Sequence, residues 1–209
     1  MEKLLSEYKV KKKHIKKRLK EFRDLYKGKD EDIFAELCFC LLTTQSKAVC
    51  CDKVVKDLKR KQLLLKGPKR VVKTHLKGVR FPNNKAAYII TARQLFRDGR
   101  GFDIRSKLNI DDIFKTREWF VKNVKGLGYK ESSHFLRNIG LGKDFAILDV
   151  HILRSLKKYG VIKKIPLSIT EKTYFNIEDK MRAFSQRIKI PLEELDLLFW
   201  SIETGFIFK

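Results

Sequence analysis

The chain reads as all-α. Apolar residues recur at three- and four-residue spacing along nearly its whole length, and strand-like alternation bounded by turn residues is nearly absent. Glycine, proline and asparagine punctuate the helical patterns at short intervals, with no repeats, low-complexity tracts or long linkers. Roughly nine to twelve helices joined by short loops are expected.

Taken in order, Ile15, Leu19, Phe22 and Tyr26 line one face of a first helix. Its other faces carry Lys11, Lys12, Lys13, Lys16, Lys17, Arg18 and Lys20, which form either a solvated surface or a phosphate contact. Residues 31–43 (EDIFAELCFCLLT) predict a strongly apolar core helix. A break follows at TTQS, where Ser46 is a candidate N-cap for the helix holding Val49, Val54, Val55 and Leu58. Gly67-Pro68 marks a loop, and Pro82-Asn83-Asn84 a second, with Asn84 placed to cap KAAYIITARQLF. DGRG, from Asp98 to Gly101, predicts a turn. Thr116 begins a helix through Trp119, Phe120 and Val124 that runs into Gly126, Leu127 and Gly128. Lys130 opens the next helix, which Gly140 ends as a left-handed C-cap. Asp149 precedes VHILRSLKKYG, Ser168 and Glu171 fit a capping box, and the last helix, LEELDLLFWSIE, runs from near Pro191 to Gly205.

Charge narrows the function classes. At 209 residues the chain can bury one good core or two small lobes. A 43% hydrophobic and 35% charged composition fits a globular protein. A net charge of +23 costs self-repulsion and points to a polyanionic partner. An anionic membrane surface is the rival, but no apolar run approaches the ~20 residues a spanning helix needs. The basic N-terminus carries no apolar signal core. An intracellular protein of the cytoplasm or nucleoid that meets nucleic acid is therefore expected. Cys38, Cys40, Cys50 and Cys51 lack disulfide-framework context and zinc-finger spacing, and predict buried or half-buried thiols.

The chemistry centres on VKGLGYKESSHFLRNIG and ILDVHILR. Two glycines permit a tight turn and close approach of backbone to a ligand. The following helix N-terminus offers free N–H groups suited to phosphate, and Leu127 is expected to anchor the turn in the core. A nucleophilic amine at Lys130 has to be neutral. Burial and a helix N-terminus disfavour the cation, and lowering its pKa to about 7.5 amounts to roughly 4 kcal/mol. The alternative is one surface lysine among 48 basic residues. Asp149 comes 19 residues after Lys130, between Ile147, Leu148, Val150 and Ile152. A carboxylate in such a run is capping, paired or catalytic, and capping is compatible with catalysis.

These residues resemble the helix-hairpin-helix superfamily of DNA base-excision glycosylases. Lys130 matches the lysine of its hairpin motif, Asp149 the aspartate of its xDxH segment, and His151 completes that pattern. ELCFCLLT, VRFPNNKAAYIITAR, REWFVKNVKGLGYKESSHFLRNIG, AILDVHILR and ELDLLFW…TGFIFK are similar to the type 2 8-oxoguanine DNA glycosylase/lyases of archaea and some bacteria, in order from about residue 32 to the last. The resemblance implies two helical lobes with the active-site cleft between them: 31–129, including most of the hairpin, and 1–30 with 130–209, carrying the catalytic lysine and aspartate. It implies Lys130 as nucleophile and Asp149 as its assistant. Gly126, Leu127 and Gly128 would grip the DNA backbone. Phe81 and Trp200 would stack on the flipped base, whose edge Lys209 would meet with its carboxylate or side chain. Trp200 lies nine residues before Lys209, and the stop at Gly205 can send Phe206, Ile207 and Phe208 back to pack.

The resemblance also implies that Gln45 fills the gap left by the flipped nucleotide. The branch usually has asparagine there, which leaves the preference for the opposite base open. Endonuclease III and adenine-glycosylase relatives commonly carry four cysteines near the C-terminus for an iron–sulfur cluster. This chain has no cysteine after Cys51, so none is expected. No metal or organic cofactor is required, although a structural monovalent cation on hairpin carbonyls is compatible with the family. The expected protein is a monomer acting on double-stranded DNA with an oxidised base, with no membrane partner. It would excise 8-oxoguanine through a lysine Schiff base followed by β-elimination. A glycosylase for oxidised pyrimidines and a non-catalytic hairpin module that only binds DNA are the alternatives.

Overall fold

A computed structural model describes residues 1–98 and 101–209. The middle of the expected Asp98–Gly101 turn, Gly99 and Arg100, lies outside the described residues. Within them, eleven α-helices follow one another: α1 Glu2–Tyr26, α2 Asp30–Thr43, α3 Ala48–Arg60, α4 Leu63–Lys66, α5 Lys69–His75, α6 Pro82–Leu95, α7 Ile113–Asn123, α8 Tyr129–Asn138, α9 Val150–Lys158, α10 Glu171–Ile188 and α11 Leu192–Thr204. The sole extended pairing among the described residues is a two-residue ladder, β1 Arg97–Asp98 against β2 Gly101–Phe102. The protein is all-α, as the helical spacing predicts.

The described residues form two compact units, one of residues 1–24 and 136–209, the other of 25–135. The division falls inside α8, so Lys130 belongs to the second unit.

Unit 25–135 is built around α2, whose residues 33–42 are all buried. That explains its run of apolar side chains without a polar face. Cys38, Cys40 and Cys51 lie in this core and Cys50 is half-buried. Phe34 meets Phe102 edge-on at 4.8 Å, and rings continue from Phe96 through Phe120 to Phe135. Two charged side chains close loops. Asp30 accepts the Ile104 N–H (2.9 Å) and pairs with Arg105. Arg93 bonds the Gly67 carbonyl (2.9 Å) beyond α4.

In unit 1–24/136–209, Leu4, Ile15, Leu19 and Phe22 form the buried stripe of α1. Tyr8 donates to Glu194 of α11 at 2.7 Å. Tyr159 and Phe199 stack at 5.5 Å and 7°. Gly140 ends α8 at φ +77, and the Leu141 N–H reaches back to the Leu136 carbonyl (2.8 Å), the bond of a Schellman stop. Gly205 ends α11 at φ +88.

Four cap assignments need correction. α3 is entered through Lys47, not Ser46, because the Ser46 hydroxyl is engaged elsewhere. α6 begins before Asn84: Pro82 occupies its first turn, where a missing N–H costs nothing, and Phe81 is the N-cap. α7 starts before Thr116, with Asp112 accepting the Lys115 N–H (3.0 Å). α10 is capped by Thr170, whose hydroxyl takes the Thr173 N–H (3.2 Å), and not by Ser168. Asp112 and Thr170 cap through their side chains, whereas α3 and α6 are entered through Lys47 and Phe81 without a side-chain cap bond. On α3, Cys51, Val54, Val55 and Leu58 are buried and Val49 is exposed.

Candidate active site

The hairpin between α7 and α8 is a tight turn that only this sequence pattern allows. Gly126 has φ +98, and a Cβ there would stand 2.5 Å from the ring of Tyr88. Leu127 is buried, as its position between the glycines predicts, and its N–H bonds the Val124 carbonyl (3.1 Å). Gly128 leads into α8, whose first-turn N–H groups have no carbonyl partner within the helix. Behind the turn the Arg117 guanidinium lies between the rings of Phe114 (5.7 Å) and Tyr129 (5.6 Å), and reaches Ser133 (3.2 Å).

Lys130 stands on the first turn of α8, as predicted. Its Nζ is 3.0 Å from Oε1 of Glu131. Glu131 is a buried carboxylate with three partners: Lys130 and the Thr44 hydroxyl (3.1 Å) on Oε1, and the Gly128 N–H (3.3 Å) on Oε2. Burial works to raise its pKa, but the Lys130 ammonium and these hydrogen bonds outweigh it and hold the carboxyl below its ordinary value. Glu131 was not among the residues singled out by sequence. Its signal is the reach-back of a capping box, Gly128 to Glu131 being the N-cap-to-N3 spacing.

Gln45 is exposed at φ +53 in the turn between α2 and α3. Phe81 is half exposed at φ +57. Among the described residues four non-glycines have positive φ, and two of them are these predicted contacts. Such conformations persist only where the surroundings hold them. The Arg80 N–H donates to Ser46 Oγ at 3.0 Å, which joins the Phe81 segment to the Gln45 turn. The Arg80 guanidinium lies over the Phe81 ring (5.4 Å). Lys85 of α6 is buried, with Nζ bonded to the carbonyls of Leu42 (2.7 Å) and Thr44 (2.6 Å) and to Ser46 Oγ (2.9 Å). Burial pushes its pKa down, and the nearby Lys130 charge adds to that. Lys130, Gln45, Phe81 and the hairpin thus belong to one unit.

Asp149, His151, Trp200 and Lys209 belong to the other. Asp149 is the N-cap of α9, its carboxylate accepting the Ile152 N–H at 2.8 Å, a contact worth about 1 kcal/mol. The buried strand-like segment before it is held by two carboxylates: Glu178 takes the Ala146 N–H (2.9 Å) and Asp196 the Ile147 N–H (3.3 Å). Burial pushes Asp196 up to about 7; Arg137 at 3.6 Å opposes this and Asp149 reinforces it. The His151 ring meets Trp200 edge-on at 6.3 Å. Past Gly205 the tail turns back: Phe206 packs against Trp200 edge-on (5.2 Å), and Phe208 stacks on it at 6.2 Å and 28°. Lys209 is half-buried at its end.

Comparison with known proteins identifies the family. The family model described as 8-oxoguanine DNA glycosylase matches residues 15–190. An 8-oxoguanine DNA glycosylase/AP lyase of Fusobacterium nucleatum is 44% identical over 204 residues, covering 97% of this chain and 94% of that protein. One of Korarchaeum cryptofilum is 42% identical over 195 residues, covering 93% and 90%. Among solved structures, the Methanocaldococcus jannaschii 8-oxoguanine glycosylase/lyase, in complex with a 15mer DNA containing 8-oxoguanine, superposes with a TM-score of 0.88 at 34% identity over 100% of both chains. The 8-oxoguanine DNA glycosylase of Thermotoga maritima does so with the same TM-score at 32% identity, over 100% and 97%. The family model spans most of the chain and these relatives match it along nearly their whole length, so this chain belongs to the 8-oxoguanine DNA glycosylase family.

Proposed function

We propose that the protein is a bifunctional DNA glycosylase and abasic-site lyase that removes 8-oxoguanine from double-stranded DNA. The observation that carries this reading is Lys130 on the first turn of α8, immediately after the Gly126–Gly128 hairpin, in a chain of this family. A phosphate grip alone has no need of an amine held at that place by a buried carboxylate.

In this reading the hairpin and the start of α8 grip a DNA phosphate, and Gln45 enters the base stack as the damaged nucleotide leaves it. Phe81 and Trp200 stack on the extruded base, and Lys209 meets its edge. Lys130 Nζ, having given up its ammonium proton, attacks the sugar C1′ as the glycosidic bond breaks and its electron pair leaves with the base, which takes up a proton. Nζ then loses a second proton, the C1′–O4′ bond opens with O4′ taking a proton, and a lysine iminium remains. Asp149 stabilises positive charge on the sugar and assists proton movement. The iminium loses a C2′ proton, and β-elimination expels the 3′ phosphate. These bond changes draw on an amine and a carboxylate alone, so no cofactor is assigned. A structural monovalent cation would rest on hairpin carbonyls. Those of Val124 and Gly128 already accept protein hydrogen bonds but keep a second lone pair. Such an ion would add counter-charge at the phosphate.

Borohydride reduction tests the assignment. Wild type should give a covalent adduct with an 8-oxoguanine duplex, and Lys130→Gln none while still binding it. A Lys130→Gln protein trapped at wild-type yield would falsify the nucleophile. A panel of duplexes with one lesion each checks the substrate: faster cleavage of an oxidised pyrimidine would replace 8-oxoguanine as the target.

A further inference from the structure

Gln45 sits at φ +53 with its side chain exposed, a backbone state that a residue bearing a Cβ keeps only when its neighbours are fixed. Both neighbours are fixed, and by the same ammonium. Lys85 Nζ bonds the Thr44 carbonyl at 2.6 Å on one side of Gln45 and Ser46 Oγ at 2.9 Å on the other. Its third bond is to the Leu42 carbonyl (2.7 Å) in the last turn of α2, so the three N–H donors of the ammonium meet three acceptors. Lys85 is buried at 3% exposure, where unsatisfied donors would be costly. The turn has two further ties, Arg80 N–H to Ser46 Oγ (3.0 Å) and the Thr44 hydroxyl to Glu131 (3.1 Å), and Glu131 also holds Lys130.

We infer that Lys85 is a positioning residue for base extrusion, holding the 43–46 turn in the strained form that presents Gln45 to the DNA stack. This rests on the reading of Gln45 as the inserted residue. A preset turn inserts its side chain without first being ordered on the DNA, so the ordering cost does not fall on the extrusion step. The effect of Lys85 should therefore pass through Gln45. It should also weigh more on excision than on cutting at a preformed abasic site, where no stacked base has to be displaced.

The test is a double-mutant cycle with Lys85→Met and Gln45→Ala, read as single-turnover 8-oxoguanine excision and, in parallel, as cutting at a preformed abasic site. In the Gln45 background, Lys85→Met should slow excision about tenfold more than abasic-site cutting. In the Gln45→Ala background the same substitution should add less than about twofold. Ser46→Ala, which removes one anchor without leaving a buried ammonium far from its other partners, should act in the same direction and carries the test if Lys85→Met melts early. Equal slowing by Lys85→Met in both backgrounds would show a general structural role and overturn the inference alone. No loss of excision in Gln45→Ala itself would overturn the insertion reading, and the inference with it.

Discussion

Lys130 and Glu131, neighbours in sequence, form a 3.0 Å ion pair at the start of α8. Successive helix residues diverge by about 100°, and the pair closes because the Gly128 N–H draws the Glu131 carboxylate back over the hairpin. The nucleophile assigned here is thus also the counter-charge of a buried acid. Glu131 has its pKa lowered, so its contribution to stability is present above the ordinary glutamate range and is lost as pH falls through the folded-state value. Lys130→Gln removes the main cause of that lowering. At neutral pH it should cost roughly 1–3 kcal/mol in urea unfolding, and the gap from wild type should close as pH falls below the ordinary glutamate range and through the lowered folded-state value. A gap that stays constant down to acid pH would show that Lys130 does not stabilise Glu131 electrostatically.

The two hairpin glycines should differ. A Cβ at Gly126 meets the Tyr88 ring at 2.5 Å and the φ is +98, whereas at Gly128 the nearest atom is the movable Glu131 Oε2 at 3.4 Å. Gly126→Ala should lower affinity for an 8-oxoguanine duplex roughly tenfold, about 1.4 kcal/mol, by displacing the phosphate-binding turn. Gly128→Ala should have a distinctly smaller effect. Fluorescence anisotropy at fixed salt measures both, and equal affinities would separate the hairpin from DNA binding.

Binding should fall steeply with salt. A chain of net charge +23 that neutralises about 5 phosphates should give a log–log slope near −4 to −5. Lys16 is exposed on α1, and on the reading of that face as a solvated surface Lys16→Glu should change that slope little. A flat salt response would leave the excess charge without a role in DNA binding.

The C-terminal tail packs onto Trp200 through Phe206 and Phe208. Removing Lys209, or replacing it with alanine, should lower 8-oxoguanine excision by about tenfold or more. Cutting at a preformed abasic site should change by less than about threefold, since that step has no base to recognise. Losses of equal size in both assays would take Lys209 out of base recognition.

Much of this was legible from local chemistry. Helical spacing showed α1, α2 and α11, and the conformational needs of glycine showed the hairpin and the stops at Gly140 and Gly205. The position of Asp149 ahead of an apolar helix implied the cap that the Ile152 N–H confirms. These features depend on residues within a turn or two of each other, so the linear order contains them. The helix starts read at Ser46, Asn84, Thr116 and Ser168 were displaced for different reasons: Ser46 is engaged by Arg80 and Lys85, Pro82 opens α6 ahead of Asn84, and Asp112 and Thr170 supply the caps of α7 and α10. The anchors of the site could not be read at all. Lys85 is one of 48 basic residues, and nothing in its neighbours announces that it is buried 39 to 43 positions away from its partners. Asp196 likewise gains its raised pKa from enclosure, which Asp149 reinforces and Arg137 opposes. Sequence determined which groups are the candidates for the chemistry; tertiary structure decided which others hold them, because burial and distant hydrogen bonds arise only once the chain has packed.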